Sequence, residues 1–123
     1  MVKCNIYCRV STLIQNKYNK DSPTLKSQLA NCKTYAEENK LIINKIYTDI
    51  STGRNVKRKQ LNMLVKDIEK DNTTYLLIND VSRFSKNSKD GLLYLDKMRK
   101  NNCTIISVSD NTKFDTLGEI AYF

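Results

Sequence analysis

The sequence predicts an α/β fold, a three-layer sandwich with a central, mainly parallel sheet flanked by helices. Two observations carry this. Four strand-like apolar runs are separated by three segments with apolar residues at helical spacing, the alternation that parallel pairing requires. The third run, "TYLLIND", is almost continuously apolar, as a strand buried on both faces must be. With 123 residues the chain makes one domain with a single real core.

The first strand is predicted over residues 3–10. Alternation puts Tyr7, Arg9 and Ser11 on one face and Cys4, Ile6, Cys8 and Val10 on the other. Residues 12–21, "TLIQNKYNKD", are polar and aperiodic and read as a loop. Ser22-Pro23 then has the form of an N-cap and first helical residue. Leu25, Leu29, Cys32 and Ala36 recur at helical spacing, giving a helix to about Asn39. "LIINKIYTD" is the second strand and "ISTGRNVK" the loop after it. A second helix opens near Arg58, with Leu61, Leu64, Val65 and Ile68 on one face. After "TYLLIND", the polar, cationic "VSRFSKNSKD" is a loop. Ser88 is placed to cap a third helix carrying Leu92, Leu95 and Met98, and "CTIISVSD" is the fourth strand. The chain closes on the apolar "IAYF", which reads as a helix cut short, since exposed aromatic ends invite association.

A formal charge of +8 favours a polyanionic partner, nucleic acid before membrane. The same lysine excess would follow from an AT-rich coding sequence, so charge alone is a weak pointer. No window approaches the roughly 18 apolar residues of a membrane span, and no signal-peptide core is present. An intracellular protein, DNA-associated and without membrane contact, is expected. Cys4, Cys8, Cys32 and Cys103 form no C-x-x-C pair and sit in apolar patterns, where cysteine acts as a small hydrophobe.

If the strands are parallel, the loops leaving them converge on one sheet edge. Arg9 and Ser11 follow the first strand; Asp49, Ser51, Gly53 and Arg58 the second; Ser82, Arg83 and Lys86 the third. A hydroxyl facing several fixed cations suits a nucleophile attacking a phosphodiester, with arginines neutralising transition-state charge. The chain has no histidine, so a Ser–His–Asp triad is excluded. No acidic pair lies in these loops to hold a catalytic metal, and three glycines are too few for a phosphate-cradling loop. Neither metal nor cofactor is expected.

"YCRVST", "LKSQLANCKTYA", "YTDISTG", "RKQL" and "DVSRFSKN" follow one another in the order and approximate spacing of the serine recombinase catalytic domain of resolvase/invertase type. The resemblance covers residues 3–123, and its loop pattern is closest to the large serine recombinases and integrases. It implies a resolvase-like fold and DNA cleavage and rejoining through a 5′-phosphoserine. Ser11 takes the nucleophile position, and Arg9 that of the arginine at the scissile phosphate. Gln28 is similar to the supporting glutamine of the first helix, and Ser51 to the serine near the nucleophile. Arg58 matches the arginine opening the next helix, and Arg83 the first arginine of the family's D-R-L-S-R stretch.

Two positions depart from the pattern. The aspartate of that stretch is Ser82, a change resembling some large recombinases with an S-R-F core. Its second arginine is Lys86, which keeps the charge and loses the planar bidentate fork. The family continues into a long oligomerisation helix and a DNA-binding domain, so residues 1–123 are expected to be a catalytic domain truncated at the start of that helix. The implied partners are double-stranded DNA and further copies of the chain, as a homodimer and a synaptic homotetramer of the full-length protein. A degenerate, non-catalytic assembly module is the rival reading. A redox or phosphatase-like protein using Cys4 or Cys8 is a third, weakened by the absence of a basic loop beside either thiol.

Overall fold

Strands β1 (Lys3–Ser11), β2 (Ile42–Ser51), β3 (Tyr75–Ile78), β4 (Thr104–Ser107) and β5 (Thr112–Phe114) form one sheet in the order β2-β1-β3-β4-β5. Helices α1 (Leu25–Glu38), α2 (Lys59–Asp71) and α3 (Ser88–Lys100) connect them. The computed structural model describes residues 2–11, 24–51, 58–80 and 88–114. The expected loop at 12–21 and the terminal "IAYF" lie outside them.

The β1–β2, β1–β3 and β3–β4 pairings are parallel, as the alternation of elements requires. The β4–β5 pairing is antiparallel, and β5 is an addition to the four expected strands. The run expected as one strand over 103–110 ends at Ser107 and turns through Val108–Asn111. Asn111 takes φ 50°, and the Ser107 hydroxyl donates to Asp110 at 2.9 Å inside that turn. A three-residue strand is too short to show periodicity, so the sequence pattern carried no sign of it.

Alternation along the strands builds two cores. On one face Tyr7, Tyr47, Leu76, Ile78 and Ile105 pack against Leu61, Leu64 and Ile68 of α2 and Leu95 and Met98 of α3. On the other, Cys4, Ile6, Cys8, Leu77 and Ile106 pack against Cys32 and Ala36 of α1. All four cysteines are free and buried. Burial pushes the Cys4 and Cys8 thiols up to about 11 and the Cys103 thiol up to about 12. They remain protonated near neutral pH, as packing groups rather than nucleophiles.

Local chemistry sets the boundaries. Thr24 is the N-cap of α1, one step past the expected Ser22-Pro23: its backbone is extended and its hydroxyl oxygen accepts the Ser27 N–H at 3.0 Å. That hydrogen bond moves the helix start from Pro23 to Leu25. α3 is described from Ser88 onward, and the cap expected there lies outside the described residues. Asn44 is the extra residue of a β2 bulge, because Cys4 pairs with Ile43 while Asn5 pairs with Lys45. The buried Asn5 closes the gap, its Oδ1 accepting from Asn44 Nδ2 and the Lys45 N–H, each at 3.2 Å.

Candidate active site

β1 outruns β3. The two strands pair from Cys4–Tyr75 to Tyr7–Ile78, after which β3 ends while β1 continues beside β2 to the Ser11–Ser51 pair. Arg9 therefore has no ladder partner from β3. The fully buried Gln28 of α1 supplies one. Its Oε1 accepts the Arg9 N–H at 3.3 Å and its Nε2 donates to the Arg9 carbonyl at 3.1 Å. A primary amide carries the same donor and acceptor as a peptide group, so glutamine replaces a missing strand. Arg9 itself is only 6% exposed.

The second strand brings Asp49 opposite Arg9. Asp49 is buried and acts at a distance as the cap of α2. Its Oδ1 accepts the Gln60 N–H at 2.8 Å and its Oδ2 the Leu61 N–H at 3.0 Å. These are the two amides an N-cap side chain would take, and Arg58, the N-cap residue, makes no such bond itself. The carboxylate also sits at the positive end of the helix. Asp49 Oδ2 accepts in addition the Tyr7 hydroxyl at 2.8 Å. Tyr7 is fully buried, and desolvation holds its hydroxyl well above the usual tyrosine range, with the Arg58 cation opposing. The phenol is neutral at physiological pH and donates to the carboxylate.

Arg58 completes the cluster. Its Nε donates to the Tyr7 hydroxyl at 3.4 Å, and its guanidinium carbon lies 5.5 Å from the centroid of the Tyr7 ring. Tyr7 and Arg9 share a strand face, so the head of α2 is tied to the end of β1 that carries Arg9 and Ser11. At the end of β3 the buried Asn79 accepts from Asn31 of α1 at 2.9 Å and donates to Asp80 at 2.9 Å. The chain leaves toward "VSRFSK" from this point.

Of the residues expected at the site, Arg9, Gln28 and Arg58 are placed with their side chains, and Ser11 and Ser51 by the pairing of their backbones. Gly53, Ser82, Arg83 and Lys86 lie outside the described residues. Tyr7 and Asp49 are the organising groups: the sequence places both at this strand end but assigns neither a role. Both were in quoted motifs, but a cap supplied by a strand residue to a helix that begins ten residues further on is visible only once the two elements touch. Among the described residues no group of three or more His, Cys, Asp or Glu side chains is arranged to hold a metal ion.

A mainly parallel sheet whose first strand ends in Arg9 and Ser11, braced by Gln28 and by Asp49 and Arg58, defines an α/β domain with arginines gathered at one strand end. Residues 4–121 match the family model described as "Resolvase, N terminal domain", and the chain belongs to that family, the serine recombinase catalytic domains. It is 30% identical over 77 residues to a resolvase of Clostridium perfringens (strain 13 / Type A), covering 63% of this chain and 39% of that protein. The chain thus spans about two fifths of the length of the curated relative it matches. A resolvase family site-specific recombinase from Streptococcus pneumoniae has a similar structure, with a TM-score of 0.82 and 29% identity over 99% of this chain and 83% of that one. The N-terminal catalytic domain of TP901-1 integrase shares the fold, with a TM-score of 0.80 and 24% identity over 98% and 88% of the two chains.

Proposed function

We propose that the chain is the catalytic domain of a site-specific DNA recombinase that cleaves and rejoins strands through a 5′-phosphoserine on Ser11. The hydroxyl oxygen of Ser11 attacks the scissile phosphorus and loses its proton. The 3′-oxygen of the upstream nucleotide leaves and takes up a proton as the free 3′-hydroxyl. Reversal with a 3′-hydroxyl from another strand reseals the backbone, conserving the bond energy with neither ATP nor metal. Arg9, Arg58, Arg83 and Lys86 neutralise charge on the phosphate, while Gln28 and Ser51 support the site. The rest of the full-length protein supplies the long helix for dimer and synaptic tetramer contacts and the domain that reads the DNA sequence.

The observation that carries this reading is the bracing of one strand end. Arg9 is held through its backbone by Gln28, and Arg58 is tied through Tyr7 to the same strand, in a chain of the resolvase family. The strand end from which Arg9 emerges and the head of the helix that carries Arg58 are thus held in one place. This is the preorganisation that phosphoryl chemistry exploits.

Covalent trapping tests it. Full-length protein incubated with nicked or half-site target DNA should give a denaturant-resistant adduct on Ser11, and Ser11→Ala should give none. Lys86→Arg should speed adduct formation by up to about 10-fold, equivalent to roughly 1.4 kcal/mol of transition-state stabilisation. Absence of an adduct from every variant with Ser11 intact, on a proven substrate, hands the chain to the assembly-module reading.

A further inference from the structure

The geometry points to Tyr94 of α3 as a positioning residue for Arg58, an inference that rests on the phosphate-binding role proposed for that arginine. Arg58 opens α2 without capping it, so capping does not fix its side chain. Two aromatic rings do. The guanidinium carbon lies 5.5 Å from the Tyr7 centroid on β1 and 5.6 Å from the Tyr94 centroid on α3. Both distances are within the range where a ring quadrupole attracts a cation, and partial burial strengthens the attraction.

Tyr94 is itself held at both ends. Its ring packs half-buried against the core shared by α2 and α3, and its hydroxyl donates to Asn62 Oδ1 at 3.2 Å. Asn62 is one turn along α2 from Arg58, and its own N–H bonds the Arg58 carbonyl at 3.0 Å. The ring over the guanidinium is therefore pinned to the same helical turn that carries the arginine. A cation–π contact engages the charge of the guanidinium rather than one particular N–H, so it is compatible with phosphate ligation by the same side chain. An arginine already held in one rotamer loses less freedom on meeting a phosphate, and the gain appears in the step where that phosphate reacts.

Three variants of the full-length protein separate the ring from the hydroxyl and from simple packing. Tyr94→Phe keeps the ring and should lower the rate of adduct formation by less than about 2-fold. Tyr94→Leu keeps an apolar filler without a quadrupole and should lower it about 5–30-fold at saturating DNA, with the half-saturating DNA concentration changing less. In an Arg58→Ala background, Tyr94→Leu should cost nothing further. The ring-current shift of the Arg58 side-chain protons, read by NMR without DNA, should survive Tyr94→Phe and shrink in Tyr94→Leu. An unchanged shift in Tyr94→Leu, or an effect that persists in Arg58→Ala, overturns the assignment. If wild type makes no adduct, the recombinase reading fails. The clamp is then judged by affinity for a plain 20-base-pair duplex: non-additive losses from Arg58→Ala and Tyr94→Leu support it, and additive ones overturn it.

Discussion

Asp49 shows how one carboxylate can serve three elements. It lies two residues before the end of β2, caps α2 through the Gln60 and Leu61 amides, and accepts the buried Tyr7 hydroxyl of β1. Removing it uncaps the helix and strands a buried phenol, so Asp49→Ala should cost about 2–3 kcal/mol of stability in urea unfolding. Asp49→Asn keeps an acceptor oxygen but loses the charge at the helix N-terminus, and should cost about 1 kcal/mol. Equal costs for the two substitutions would show that the carboxylate packs without capping. Arg58 explains why the link matters. The residue that opens α2 is the cation proposed to meet the phosphate, so whatever fixes the first turn of α2 also fixes Arg58. At this scale the sequence was only half legible. Arg9, Gln28 and Arg58 stood out because their residue types and order match a known catalytic pattern. Asp49 did not, because nothing in "YTDISTG" says that its partners are the amides of residues 60 and 61.

The ends of the helices are marked by an economy of glycine. Lys40, Asn72 and Asn102 follow α1, α2 and α3 and take φ of 56°, 50° and 57°. Among the described residues asparagine takes three of the four non-glycine left-handed positions, Asn72, Asn102 and Asn111, helped by a short side chain that tolerates the region. Lysine has no such excuse. Lys40→Gly should therefore raise stability, by up to about 1 kcal/mol, despite removing a positive charge from the surface. A loss of stability in thermal or urea unfolding would mean that the lysine stem packs to better effect than the backbone conformation costs. Element types followed from periodicity, since the apolar faces of α1 and α2 and the alternation in β1 are strong patterns. Boundaries did not. Thr24 took the place expected of Ser22 as a cap because "SPT" offers two hydroxyls, and the pattern does not say which one receives the Ser27 N–H. β5 was beyond reach for the same physical reason: its three residues are specified by the edge of β4, not by a pattern of their own.

For the molecule as a whole, the sheet is deep on one side and shallow on the other. β1 and β2 run beside each other for nine and ten residues, while β3 and β4 have four each. The last four residues of β1, from Cys8 to Ser11, therefore project past β3 like a cantilever, fixed at the root by the core, carried along one side by β2, and propped by Gln28. A beam of this kind is stiff where it is clamped and yields toward its tip. Amide hydrogen exchange should report the gradient, with Ile6 and Tyr7 opening only through global unfolding and Val10 and Ser11 through a smaller, local event. Gln28→Ala removes the prop. It should leave protection at Ile6 almost unchanged while exchange at Arg9 and its neighbours accelerates by roughly 10-fold or more, about the free energy of one hydrogen bond. Uniform acceleration along β1 would show instead that the strand opens as one piece. If the gradient holds, the tip carrying Ser11 can bend toward the proposed DNA substrate while the sheet behind it stays closed.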